Sequence, residues 1–348
     1  MDLPPSPAPA PPRSNLLHWV IALALAGVLL YYSLRGIDWR QVWSTLATTR
    51  LDYVSGFVIV TTGSLFLRAL RWRVLLQAGG PVRVPTAFWA TCAGYFGNSF
   101  LPARAGELIR SMAIDAETGI GRTFILTTAL AERLVDAIAL VLISSLVLLT
   151  LPVRPGWYAT AARPFAILGI AGVLCIAILP RLERLWTYLL DRTPIPERFR
   201  GKLKHILEQI LYGLKAFHDT RRLLSFLGLT AVIWFMDAVG TILGARSLDL
   251  DLNLSMSYLL LTGLGLGSAL PSTPGYVGIY QYVAVTVLTP FGFNREIVIA
   301  FTFLLQALQY LSTAIWGLFA LLRFRKLKLR FTGKLTPAEA GSTVRAAD

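Results

Sequence analysis

Charge is scarce in this chain: only 15% of its 348 residues are Asp, Glu, Lys or Arg, against about 25% in a soluble domain. Cysteine and histidine are scarcer still. Cys92 and Cys175 both lie in apolar runs, which excludes a secreted disulfide framework. His18, His205 and His218 are scattered and give no metal-ligand spacing. A G-x-x-x-x-G-K-[ST] loop is missing, so nothing points to ATP. The run Gly263-Leu264-Gly265-Leu266-Gly267 lies in an apolar segment without a strand–turn–helix context and is no dinucleotide fingerprint. No cofactor and no metal are expected. What is abundant is apolar surface: 55% of residues are hydrophobic and the mean hydropathy is +0.60. The pattern is that of an all-α, polytopic integral membrane protein.

A bilayer core about 30 Å thick requires roughly 20 mostly apolar residues per helix. Six runs meet this: Leu16–Ser33, Leu51–Leu67, Thr123–Leu151, Phe165–Leu179, Leu223–Gly244 and Ile297–Leu322. The first has little charge before it and no small-residue cleavage site after it, which argues for a retained helix. Two more stretches are apolar but interrupted. Pro85–Pro102 contains Gly94, Gly97, Asn98 and Ser99, and Ser255–Thr289 is broken by Pro271-Ser272-Thr273-Pro274-Gly275. Prolines inside a helix free backbone carbonyls, and at membrane depth these survive only against protein or a wet cavity. Both stretches are therefore expected to be re-entrant helical hairpins, making about eight membrane segments. Residues 1–15 and 326–348 are expected to be tails, the first disordered and the second basic and cytoplasmic, around a membrane domain of residues 16–325.

The charges that exist are lopsided, 33 Lys and Arg against 19 Asp and Glu, a net +14. With six spans, two hairpins and both termini cytoplasmic, 25 of the 33 cations fall on the cytoplasmic side and 7 on the other. The positive-inside rule favours that topology, so the basic balance needs no nucleic acid. Within the loop 180–222, Phe199, Leu203, Ile206, Leu207, Ile210, Leu211 and Leu214 recur at helical spacing, opposite Arg198, Lys202, Lys204 and Lys215. This helix suits either the anionic leaflet surface or packing on other cytoplasmic segments.

A few charges resist the orientation argument. The third span contains Glu132, Arg133 and Asp136, and each ionised group at mid-bilayer costs roughly 2.5–3.5 kcal/mol. The three fall within about a 100° arc, so one face must look into protein or water. Arg133 is positioned to pair with Asp136 at i, i+3. Either a buried ion pair locking the helices or a functional polar cavity accounts for them. Arg104, Glu107 and Arg110 are spaced i, i+3, i+6 on a helix expected to start near Pro102. Two arginines at such a terminus suit a lipid phosphate, unless they form an ordinary juxtamembrane cluster. Asp237 in the fifth span faces the same cavity or hydrogen-bonds a broken-helix backbone. Tyr276, Tyr280 and Tyr282 are expected to pack.

In order along the chain, Arg71-Trp72-Arg73, Asn98…Leu101-Pro102-Ala103-Arg104…Gly106-Glu107, Glu132-Arg133…Asp136 and Pro271…Pro274-Gly275…Gly278 resemble the lysylphosphatidylglycerol synthase transmembrane region. This flippase-like family includes the membrane part of the multiple peptide resistance factor. The similarity spans about residues 15–325. It implies a bacterial cytoplasmic-membrane protein that moves charged phospholipids, or in one branch hopanoids, between leaflets. Relatives typically carry a second Gly where this chain has Tyr276 and a Glu where it has Gln281. Aminoacyl-transferring members have a large soluble catalytic domain after the membrane part. About 25 residues follow Leu322 here, so lipid aminoacylation is not expected.

The expected headgroup cavity therefore comprises Asn98, Arg104, Glu107, Arg110, Glu132, Arg133, Asp136, Asp237, Ser272, Thr273, Gly275, Gly278 and Gln281. Three functions compete. A lipid translocase would use the arginines for the phosphate and the carboxylates to balance charge, and is more a transporter than an enzyme. A transferase on a polyprenyl or hopanoid lipid would use paired carboxylates such as Glu132 and Asp136 as general bases. A membrane scaffold would dock a separate cytoplasmic enzyme on the basic 180–222 loop. The expected partners are membrane lipids, anionic or zwitterionic phospholipid or a hopanoid or polyprenyl lipid, and the chain is compatible with an oligomer.

Overall fold

The computed structural model describes residues 24, 27–101, 105–150, 164, 167, 170, 171, 217, 219–268 and 276–331. The regular elements among them are helical, with no strand. Residues 27–34 are helical, followed by α1 (Trp39–Ala47), α2 (Leu51–Leu76), α3 (Val84–Phe100), α4 (Gly106–Thr118) and α5 (Arg122–Thr150). Then come α6 (Thr220–Arg246), α7 (Leu254–Gly267), α8 (Ile279–Leu288) and α9 (Arg295–Phe331). The expected N-terminal tail, nearly all of the span Phe165–Leu179, nearly all of the 180–222 loop and residues 332–348 lie outside the described residues; residues 326–331, expected to open the C-terminal tail, instead continue α9.

Local chemistry sets the boundaries. Asp38, Asp219 and Asn253 sit at the N-caps of α1, α6 and α7, and their side chains accept backbone N–H groups of the first turn. α2, α6 and residues 295–324 of α9 are long and apolar enough to cross a membrane. α5 has the length, at 29 residues, but carries Glu132, Arg133 and Asp136 through its middle.

The first broken stretch differs from expectation. Gly94, Gly97, Asn98 and Ser99 do not interrupt it; Pro85 opens α3 and the helix runs unbroken to Phe100. The reversal follows Phe100, and α4 forms the second arm, beginning at Gly106 rather than near Pro102. The glycines serve packing instead. A Cβ on Gly97 would lie 2.7 Å from Gly106 Cα, and one on Gly106 would strike the Gly94 carbonyl oxygen. Only glycine lets the arms meet this closely, which outweighs a helix-propensity cost of about 1 kcal/mol at each.

Both hairpins turn back to the end they came from, and the two ends are opposite. Leu76 of α2, Val82, Ala87 of α3, Ile114 of α4, and Ile120 and Phe124 before and in α5 form one apolar cluster. A second cluster joins Leu148 of α5, Ala245 of α6, Leu252, Leu259 of α7, Leu288 of α8 and Val298 of α9. Since α5 runs from the first cluster to the second, α3–α4 enters from one end and α7–α8 from the other. Their tips, with Asn98, Ser99 and Glu107 on one and Ser268, Tyr276 and Tyr280 on the other, line a single cavity. α9 braces the first hairpin through aromatic contacts of Trp316 with Phe88 and Trp89, and of Tyr310 with Phe100.

Candidate functional site

Among the described residues, four arginines and four carboxylates gather between α2, α4, α5 and α6. They fall into a sealed part and an open part. The sealed part centres on Arg71 of α2, which is fully buried. Its Nη1 and Nη2 donate to Asp136 Oδ1 and Oδ2 at 2.5 and 2.8 Å. Nη2 also donates to Glu132 Oε1 at 2.8 Å, and Nη1 to Thr230 Oγ1 at 3.2 Å. The planar guanidinium grips a carboxylate with two parallel bonds, which a lysine could not do. The second oxygen of Glu132 accepts from Arg110 Nη1 at 3.1 Å, and Arg110 lies over the Trp72 ring at 4.4 Å.

From Arg110 the chain of charges leads outward. Arg110 pairs with Glu107 on its own helix, 2.5 Å away. Glu107 Oε1 accepts from Arg133 Nε and Nη2 at 3.2 and 3.0 Å, and from Asn98 Nδ2 at 3.3 Å. A separate pair, Arg68 with Asp237, joins α2 to α6, and Ser64 Oγ donates to Asp237 Oδ1 at 2.6 Å. The Tyr95 ring lies within 6 Å of both the Arg68 and the Arg133 guanidinium groups. Each charge is thereby partnered, which is what permits so many of them inside an apolar bundle.

The cavity has a volume of about 490 Å³, and Arg68, Asn98, Glu107, Arg133, Asp136 and Asp237 line it. Arg71, Arg110 and Glu132 are not on its wall, being at most 4% exposed. The intramembrane charges thus divide into a buried ion-pair core behind, with Arg71, Arg110 and Glu132, and a polar cavity wall in front. The expected Arg133–Asp136 pair does not form. Arg71 occupies Asp136, and Arg133 turns to Glu107 on the first hairpin. Asp237 lines the cavity and is held by Ser64 and Arg68 of α2, while the Pro271–Gly275 backbone lies outside the described residues.

Arg104, Ser272, Thr273 and Gly275 lie outside the described residues. Gln281 is buried away from the cavity. Its Oε1 accepts the Gly278 N–H at 2.8 Å and its Nε2 donates to Gln306 Oε1 at 2.8 Å, pinning the start of α8. Gly278 has φ +90°, a left-handed value that suits glycine. Tyr276, just before it, has φ +57°, costing a side-chain-bearing residue about 1–2 kcal/mol. Its ring stacks on Tyr280 with centroids 5.3 Å apart and planes 8° apart, and both rings line the cavity. These tyrosines, expected merely to pack, are cavity wall. Replacing Tyr276 by Gly relieves the strain and loses a stack worth about 0.5–1.5 kcal/mol. Thermal unfolding in detergent should therefore place Tyr276→Gly within about 1 kcal/mol of wild type.

Arg68 and Arg71 were missed as site residues because they read as the basic end of a span. The available signal was their i, i+3 spacing on the face that also carries Ser64. Arg71 and Arg110 must also leave the orientation count, since both are buried in the bundle. No His/Cys/Asp/Glu grouping suited to a metal ion occurs among the described residues.

A family described as the lysylphosphatidylglycerol synthase TM region matches residues 19–317. The glycosyltransferase AglD of Haloferax volcanii is 26% identical across 79% of this chain and 48% of its own length. The chain thus spans about half of that relative.

Proposed function

Because the chain belongs to the lysylphosphatidylglycerol synthase TM-region family, we propose that it is a translocase carrying the polar headgroup of a lipid between the leaflets of a bacterial cytoplasmic membrane. The observation that carries this reading is the cavity between the tips of two hairpins entering from opposite ends, with ion pairs on its wall. A headgroup crossing alone would leave its charge in hydrocarbon at a cost of roughly 2.5–3.5 kcal/mol or more. In the cavity, a phosphate meets Arg133 and Arg68 while Glu107 keeps Arg110 and Asn98 and Asp237 keeps Ser64, so the headgroup charge is not without a cation along the way. The acyl tails remain in lipid. Arg71, Arg110 and Glu132 hold the helices in register while the wall pairs open and close. Both termini are cytoplasmic in this reading.

Proteoliposomes containing the purified protein and fluorescent anionic, zwitterionic and hopanoid-type lipids test it. A charge-assisted hydrogen bond contributes about 1.5–3 kcal/mol, so Arg133→Ala should slow movement roughly 10- to 100-fold. Asp237→Asn should act in the same direction. Wild-type protein that moves none of the lipids would sink the reading, as would unchanged rates in both variants.

A transferase remains the second reading, favoured by the name of the Haloferax relative. In that case Glu107 and Asp237 are the general bases, because Glu132 is locked by Arg71 and Arg110 behind the wall. Incubation with a nucleotide sugar and a polyprenyl phosphate, followed by mass spectrometry of the lipid, decides: a glycosylated product supports it.

A further inference from the structure

The short helix α1 lies apart from both hairpins and gives no residue to the cavity wall. Its sequence, Trp39-Arg40-Gln41-Val42-Trp43-Ser44-Thr45-Leu46-Ala47, divides it lengthwise into three arcs. At about 100° per residue with Trp39 at zero, Gln41, Thr45, Val42 and Leu46 cover about 200° to 340°. This arc meets the bundle: Val42 is 1% exposed and the other three are half-buried. Thr45 Oγ1 donates to the Gln41 carbonyl at 2.9 Å, which keeps that hydroxyl partnered on the bundle side. Trp39 and Trp43 follow at about 0° and 40°, then Arg40 and Ser44 at about 100° and 140°. The bundle leaves these four exposed, Trp39 at 43% and Trp43 at 66%.

A helix resting on protein with water behind it needs two faces, one apolar and one polar. α1 has a third, apolar and turned away from the bundle. Water, a second protein surface or lipid could lie against it, and the height of α1 in the fold separates these. Arg295, the first residue of α9, donates from Nη2 to the backbone oxygens of Tyr32 and Ser33, so α9 begins level with the end of the helical segment 27–34. The Trp39 ring lies against Phe303, with centroids 6.4 Å apart. At about 1.5 Å per residue, Phe303 is about 12 Å further along the axis of α9. Residues 295–324 of α9 are membrane-length, so α1 lies beside the first turns of a span rather than beyond its end.

The surroundings match that height. Tyr31 and Tyr32 are exposed at the same end. The Arg35 guanidinium lies 5.9 Å from the Tyr31 ring centroid, and that of Arg50, just before α2, lies 4.5 Å from the Tyr53 centroid. Aromatic rings with one polar edge, and arginines whose stems lie along them, gather at the headgroup level of a bilayer. Deeper placement would bury Arg40 and Ser44 in hydrocarbon, and placement in water would leave Trp43 exposed to it.

We infer that α1 is an interfacial helix whose partner is the bilayer surface. It lies in the headgroup layer of one leaflet, with Trp39 and Trp43 toward the acyl chains and Arg40 and Ser44 toward water. Because α1 joins the segment 27–34 to α2 and packs on α9, it fastens three elements to that leaflet. This holds whatever the cavity carries.

Nitroxide labels test the inference in full-length protein reconstituted into vesicles of phosphatidylethanolamine and phosphatidylglycerol. In a background of Cys92→Ala and Cys175→Ala, Trp43→Cys and Ser44→Cys put a label on the lipid-facing and the water-facing arc. Both side chains are exposed, so neither change removes a contact with the bundle. The label at 43 should be relaxed by oxygen and report a depth of about 5–10 Å into the headgroup–acyl boundary. The label at 44 should be relaxed by a water-soluble nickel chelate. A label at 43 as open to nickel as the one at 44 overturns the inference, because α1 then stands in water. Shielding of position 43 from both relaxants also overturns it, because a second copy or another protein then covers the tryptophans. The native side chain gives an independent reading. The fluorescence lost on Trp43→Phe isolates the Trp43 emission, which should be quenched more by lipids brominated near the headgroup than by lipids brominated at the chain end. Equal quenching by the two, or none, overturns the inference.

Discussion

Arg71→Met is expected to yield little or no folded protein. Arg71 is fully buried and holds both oxygens of Asp136, one of Glu132 and the hydroxyl of Thr230. Methionine keeps the length and apolar volume but leaves Asp136, which reaches from the buried network to the cavity wall, with no cation. Removing one partner of a buried ion pair costs about 3–5 kcal/mol, a large part of a typical total stability of about 5–15 kcal/mol. The yield of monodisperse protein in mild detergent and the thermal unfolding midpoint report the effect. Removing both partners should restore most of it: Arg71→Met with Asp136→Leu is expected within about 2 kcal/mol of wild type, because no uncompensated charge remains. Arg71→Lys should rescue only in part, since a point charge cannot span Asp136 and Glu132 as the fork does. An Arg71→Met protein as stable as wild type would show that the network does not hold the bundle.

The second large effect is expected at Gly106. A Cβ there meets the Gly94 carbonyl oxygen and, at 2.7 Å, the backbone nitrogen of Asn98. These are backbone atoms of a helix and cannot rotate aside, so α3 and α4 must part. Overpacking a core usually costs about 1–3 kcal/mol, and Gly106→Val should reach or exceed the upper figure. The damage reaches the site because α4 carries Glu107 and Arg110. Shifting it separates Glu107 from Arg133 and Arg110 from Glu132, so lipid movement should fall with stability. Gly228→Ala is the matched control: nothing lies within 4 Å of a Cβ added there, and alanine favours the helix by about 1 kcal/mol. Comparable losses in both would show that the hairpin contact is not special.

Glu132 and Asp136 were legible in the sequence because an ionised group in an apolar run of that length is costly wherever it stands. Their main partner was not. Arg71 lies 61 and 65 residues earlier, and in one dimension it merges with the basic end of its span. The pairing depends on how α2 packs beside α5, which no local pattern encodes. The reversal near Pro102 was legible as well, but its extent was misplaced. Gly94 and Gly97 look like helix breakers until the facing arm is present, and only then do they become contact points. The short helix α1 escaped notice because nine residues are far too few for a span, although Trp39, Val42, Trp43 and Leu46 recur at helical spacing. Gln306, Gln309 and Tyr310, which also line the cavity, escaped because they are few among the many apolar residues of a span.

The pairing of four arginines with four carboxylates also has an electrical consequence. Moving one net charge through the whole membrane voltage changes its energy by about 2.3 kcal/mol per 100 mV. The eight described charges of the site sum to zero, so a rigid displacement of the cluster along the field gains or loses nothing. The membrane potential then has no handle on these side chains as a group, and any voltage dependence of movement would have to come from the charge of the cargo.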